Sequence, residues 1–119
     1  MSRRTERVGD LLRQELAGLL IHQVRDPRVR LATVTQVTVS PDLRRATVWI
    51  SVLGEEEQRV AAVAALDHAR GFLRSEVAHR LKSLKTVPEL VFELDRGAEH
   101  SQRISNLLEE LHGHDDEGA

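Results

Sequence analysis

Apolar residues recur near the N-terminus at Val8, Leu11, Leu12, Leu16, Leu19 and Leu20, a spacing that winds them onto one face of a helix. The pattern predicts a helix over 4–24. Asp26-Pro27 closes it, because the residue before a proline avoids helical geometry. Residues 31–40 are rich in Thr and Val and predict a strand with Val37 and Val39 on one face. Ser40-Pro41-Asp42-Leu43 is a turn signal. Then Ala46, Val48, Ile50 and Val52 alternate with Thr47, Trp49 and Ser51, the period of a half-buried strand that pairs with its predecessor as an antiparallel hairpin. Gly54 ends it. Residues 55–84 predict helix, opened by the acidic run Glu55-Glu56-Glu57, which suits a positive helix N-terminus. Val60, Val63, Ala64 and Leu66 carry the first apolar stripe. After an interruption at Gly71, Phe72, Leu73, Val77, Leu81 and Leu84 resume it. Leu90, Phe92 and Leu94 alternate as a third strand. A last short helix runs from beyond Gly97 to about Leu111, burying Ile104, Leu107, Leu108 and Leu111.

The resulting order is helix, strand, strand, helix, helix, strand and a terminal helix. It predicts an α+β fold with a three-stranded sheet covered by helices on one face. One domain is expected over residues 1–111, followed by a disordered acidic tail over 112–119.

The chain's 119 residues suffice for one modest core. It has no cysteine, which excludes disulfides and thiolate metal sites. No apolar run approaches the ~20 residues needed to span a bilayer, and Met1-Ser2-Arg3-Arg4 does not lead into a signal-peptide stretch. A cytoplasmic protein is expected. The net charge of −2 argues against a nucleic-acid partner until its distribution is considered. Residues 1–50 carry a net +4, residues 51–95 a net −2 and residues 96–119 a net −4, so the C-terminal acidity hides a basic remainder. Fifteen of the seventeen basic residues are arginines, whose planar forks match phosphate oxygens.

Catalytic signatures are missing. Asp67, His68 and Ser75 lie close in sequence, but no nucleophile-elbow glycines surround the serine. His112, His114 and Asp115 cluster in the tail, short of the organised four-ligand set a structural metal site requires. No phosphate-binding glycine loop occurs. Phe72 and Phe92 fall on core-facing stripes. Trp49 points away from Val48 and Ile50, where base stacking is conceivable and packing against a neighbouring element is the favoured reading. A non-enzymatic domain without metal or cofactor is expected.

The strand–helix–helix–strand segment is similar to a KH domain of the bacterial (type II) order, in which a G-x-x-G loop clamps an RNA backbone. Here no two glycines stand three apart, and the helix junction reads Ala69-Arg70-Gly71. With that junction the sequence resembles the ribosome-binding factor A family, whose KH-like fold carries an A-x-G kink in place of G-x-x-G. Ala69-Arg70-Gly71-Phe72-Leu73-Arg74 matches the kink. Asp26-Pro27-Arg28 matches the segment after the first helix. Asp42-Leu43 with Ala46 and Val48 matches the hairpin, Pro88-Glu89-Leu90 with Phe92 and Asp95 the third strand, and Arg103-Ile104-Ser105-Asn106-Leu107 the last helix. Arg30 departs from the small residue common in the family. The resemblance covers roughly residues 4–111. It implies a factor that binds the free small (30S) ribosomal subunit, assists late maturation of its 16S rRNA and serves cold adaptation, with no membrane or small-molecule partner. A monomer is expected, because no exposed apolar stripe demands a dimer.

The candidate RNA contacts are basic. Arg70, Arg74, Arg80, Lys82 and Lys85 set five positive charges against Glu76 in residues 70–85, and Arg70 and Arg74 share a helical face. Arg44 and Arg45 at the hairpin, and Arg3, Arg4 and Arg7, extend the surface if they lie on the same side. Cations also suit a helix C-terminus, and Glu76 and Glu89 offer salt-bridge partners; phosphate contact is the favoured reading. Gly71, with Ala69, is expected to permit a bend or close packing.

Overall fold

The structure is a computed structural model that describes residues 2–97; the expected terminal helix and acidic tail lie outside the described residues. Helix α1 spans Arg3–His22. Ser2 caps it: its hydroxyl accepts from the Thr5 N–H at 3.2 Å, satisfying one of the N–H groups a helix start leaves without a partner. The predicted stripe is buried except for half-buried Leu11, with Leu12, Leu16 and Leu19 almost fully inaccessible. Truncating such a leucine to alanine costs ~2–5 kcal/mol. Gly9 lies in the same face, where an added Cβ would stand 2.7 Å from the Val37 carbonyl oxygen, so helix and strand backbones meet without a side chain between them. The chain leaves α1 before Asp26, whose carboxylate caps a short 3-10 turn, Pro27–Val29, by accepting from the Arg28 N–H at 2.9 Å. Arg30 closes that turn in ordinary right-handed geometry.

Strands β1 (Ala32–Val39) and β2 (Arg45–Val52) form the predicted antiparallel hairpin, and β3 (Glu89–Leu94) joins the free edge of β2 in parallel. The order β1-β2-β3 puts β2 at the centre. Its Ala46, Val48 and Ile50 are fully buried. The register slips by one residue between Val34 and Gln36, a bulge that leaves Thr35 over and returns Val34 to the core face beside Val37. The Thr35 hydroxyl donates across β2 to the Asp95 carboxylate at 2.6 Å. On the face away from the helices, half-buried Trp49 donates its indole N–H to the Thr38 hydroxyl at 3.2 Å. It packs on the neighbouring strand, in line with the favoured reading.

The second helical region departs from expectation in four ways. It breaks at Ala69 (φ −88°, ψ 2°) rather than at Gly71, giving α2 over Glu56–His68 and α3 over Arg70–Arg80. Gly71 lies in the first turn of α3, and an added Cβ there would meet no atom within 4 Å, so close packing inside this fold is not what keeps it small. The buried face of α2 is Ala62, Ala65 and Leu66, while Val60 is 55% exposed and Ala64 is exposed too. On α3, Leu73 and Val77 are buried and Phe72 is 46% exposed rather than in the core, which Phe92 does enter. Finally, α3 ends at Arg80, so Lys82 and Lys85 belong to the loop before β3 and not to a helix end. The buried apolar residues form one contiguous cluster drawn from every element.

Candidate nucleic-acid interface

One groove of about 1180 Å³ runs between the start of α1, the hairpin turn, the start of α3 and the α3–β3 loop. Each element supplies cations to it for a local reason. The Ser2 cap fixes the first turn of α1, whose polar side presents Arg3, Arg4 and Arg7. The turn is held by the Ser40 carbonyl, which accepts from the Leu43 N–H at 2.9 Å, and by the Asp42 carboxylate, which accepts from the Arg44 N–H at 3.1 Å; Arg44 therefore points into the groove. The break at Ala69 starts α3 afresh, so that Arg70, Gly71 and Arg74, one helical turn apart, form the opposite wall. Lys85 enters from the loop.

Among the described residues, seven cations thus converge on two carboxylates, Asp42 and Glu89, an excess of five positive charges. The Asp42 carboxyl is held below the usual carboxylate range by the Ser40 hydroxyl and the Arg44 N–H, so it stays ionised and fixes the turn. Arg74 has a second task. Its guanidinium donates twice to the Val87 carbonyl, at 2.8 and 3.2 Å, and ties the α3–β3 loop to α3.

Three of the ten basic candidates do not line the groove. Arg45 begins β2, and strand alternation turns it to the face opposite buried Ala46. Arg80 lies one turn from Glu76, with a guanidinium-to-carboxylate distance of 3.7 Å. Lys82 is exposed in the loop. Sequence reasoning missed the groove's apolar floor, formed by Leu43, Leu84, Val87 and Pro88. Leu43 adopts φ 61°, a left-handed conformation unusual for a branched side chain; the turn signal at Ser40–Leu43 marked the place but not this geometry. Among the described residues, no group of three His, Asp or Glu side chains is arranged to hold a metal ion, and no helix is long and apolar enough to cross a membrane. Asp67 and His68 end α2 while Ser75 sits on α3; the His112, His114 and Asp115 cluster lies outside the described residues.

Fold and groove together define a small α+β domain with a mixed three-stranded sheet and one strongly cationic cleft. The chain belongs to the ribosome-binding factor A family, whose model matches residues 4–108. It is similar to the crystal structure of ribosome-binding factor A from Thermus thermophilus, at 30% identity and a TM-score of 0.68 over 78% of this chain and 98% of that one. A solution structure of a Thermotoga maritima protein described as a ribosome binding factor A aligns at 37% identity and a TM-score of 0.62, over 75% of this chain and 88% of that one. A homology model of the Thermus thermophilus factor, as fitted into a cryo-electron microscopy map of a complex of that factor with the 30S subunit, aligns at 31% identity and a TM-score of 0.62, over 73% of this chain and 90% of that one.

Proposed function

We propose that this protein is a non-catalytic, cytoplasmic assembly factor that binds the free small ribosomal subunit through its cationic groove and assists late maturation of 16S rRNA. The observation that carries the reading is the convergence of seven cations from four separate segments on one cleft, in a chain of the ribosome-binding factor A family. Like charges gathered from distant parts of a sequence repel one another, and an anionic partner such as rRNA phosphate offsets that repulsion. The element order and the break at Ala69-Arg70-Gly71 support a KH-like domain in which the kink, with its side-chain-free Gly71, lies against the RNA. The relative bound to the 30S subunit supports that partner. The role in cold adaptation rests on the family resemblance, and the factor acts as a monomer without cofactor, membrane or small-molecule substrate.

Co-sedimentation with purified small subunits across a salt series tests this. The variant R4A/R7A/R44A/R70A, which spares the structural Arg74, is expected to bind more weakly and with a flatter salt dependence. Each phosphate left unneutralised takes about 0.7–0.9 off the log–log slope on regular helices. The off-groove variant R45A/R80A/K82A is expected to retain wild-type slope. Equal slopes for both variants refute the groove as the rRNA-binding surface; binding to bulk RNA with no preference for subunits refutes the assembly role.

A further inference from the structure

The end of the fold opposite the cationic groove carries a second cleft. Helix α1 lies head to tail on β1, so that Gly9 meets Val37 whereas Leu20 reaches Ala32. The cleft, of about 580 Å³, opens between the last turns of α1, the 3-10 turn and the start of β1, a size within the range of sites that hold a ligand. Among the described residues it shares none with the groove. Strand β2 starts beside the groove and pairs Val52, its last residue, with Ala32 of the cleft. The two sites therefore stand ~23 Å apart along β2, at about 3.3 Å per residue.

The lining is aliphatic: Leu20, Ile21, Val24, Pro27, Val29 and Ala32. Ile21 is 75% exposed. Leu31 and Leu53, also exposed, lie side by side at this end, the Leu53 N–H donating to the Leu31 carbonyl at 3.2 Å. Of the five exposed large apolar side chains among the described residues, three thus gather here. Such residues scattered singly are ordinary, and a gathering of them marks an interaction site.

The charges at the cleft say what fits it. Arg25 and Arg30 line it, both exposed, and neither guanidinium has a carboxylate partner among the described residues. The Asp26 carboxylate is already taken by the Arg28 guanidinium at 2.7 Å. The cleft thus pairs an aliphatic lining with two unneutralised arginine forks. It offers RNA no aromatic ring to stack on and far fewer cations than the groove, whereas leucine-like side chains suit its lining and carboxylates suit its arginines.

We infer that this cleft is a docking site for an acidic amphipathic segment of a partner protein, whose apolar side chains enter between α1 and β1 while its carboxylates pair with Arg25 and Arg30. The inference does not depend on what the groove binds.

The test uses the full-length protein. The probe is a fluorescent peptide with leucines at i, i+3, i+4 and i+7 and glutamates between them. I21D and R25E/R30E, all at exposed positions, are each expected to weaken its binding by roughly tenfold or more, with unchanged thermal melts. The groove variant R4A/R7A/R44A/R70A is expected to bind it as the wild type does. In cells, a photoreactive benzoylphenylalanine in place of Ile21 is expected to cross-link a leucine-bearing segment of another protein rich in Asp and Glu, and R25E/R30E is expected to abolish that product. Failure of the wild-type chain to bind the peptide would overturn the proposal, as would binding lost in the groove variant but kept in R25E/R30E. A cross-link to RNA, to a second copy or to another part of the same chain would overturn it as well.

Discussion

Replacing Gly9 with alanine should destabilise the protein, although the same change elsewhere in its helices should stabilise it. Alanine exceeds glycine in helix propensity by ~0.8–1.0 kcal/mol, and G18A and G71A, whose added Cβ meets nothing within 4 Å, should show most of that gain. At Gly9 the new methyl would stand 2.7 Å from the Val37 carbonyl oxygen and 3.7 Å from Val39 Cγ2. Val37 belongs to a backbone register, opposite Val48, so the obstacle is main chain that cannot rotate aside. Relief requires α1 to lift off β1 along a face that buries Val8, Leu12 and Leu16. Overpacking of this kind costs ~1–3 kcal/mol. Set against the propensity gain, G9A should lose up to about 2 kcal/mol, which separates it from G18A by ~1–3 kcal/mol. For a domain near this size, 1 kcal/mol moves the melting temperature by roughly 4–8 °C. Urea titration and calorimetry of the three variants resolve the ordering. A G9A protein as stable as G18A would show that α1 slides freely over β1 and would refute the reasoning.

Arg74→Ala should lower stability by about 1 kcal/mol through loss of its bonds to the Val87 carbonyl, while Arg70→Ala leaves the thermal melt unchanged; identical melts for the two would remove the structural role assigned to Arg74. Gly71→Val should fold normally yet bind small subunits more weakly than Gly71→Ala, since only the larger side chain projects far into the groove; equal, wild-type binding by both would take Gly71 out of the RNA-facing surface. The Asp26 carboxyl is held down to about 2 by the Arg28 guanidinium and N–H, so the folded state favours its ionised form. That contribution is complete above the ordinary carboxylate range and is lost as pH falls through about 2. D26N should flatten the stability–pH curve between pH 4 and 2, and a curve parallel to wild type in that window would count against the Asp26–Arg28 pairing.

Strand β2 was fully legible because its period-2 alternation has no interruption. In β1 the bulge at Thr35 hid Val34, since one extra residue reverses the alternation. Of the stripe predicted for α2, Leu66 is fully buried, whereas Val60 and Ala64 are exposed; apolar residues surround that helix, so Val60, Val63 and Ala64 fit helical spacing as well as Ala62 and Ala65 do. The groove was half legible. Local spacing linked Arg70 to Arg74, but nothing along the chain ties them to Arg3, Arg4, Arg7 and Arg44; the β3 crossover and the packing of α1 do that. Arg45 and Arg44 are neighbours in sequence and part at the strand, one outside the groove and one within it. The apolar floor is not legible along the chain, because Leu43 reads as a turn residue, Val87 as a loop residue and Leu84 as the last position of a helical stripe that in fact ends at Arg80.

The parallel pairing of β3 with β2 sets an order of events during synthesis. Helix α1 and the β1–β2 hairpin involve only neighbouring segments, whereas 36 residues separate Val52 from Glu89. At about 5–20 residues per second, translation takes several seconds to cross that gap. Throughout, one edge of the central strand, with Ala46, Val48 and Ile50 on its apolar face, stands without its partner. Non-local pairing of this kind is slow and leaves the chain exposed to aggregation. A synonymous change that slows translation between residues 53 and 88 would lengthen that interval, and so lower the soluble yield without altering one atom of the finished protein.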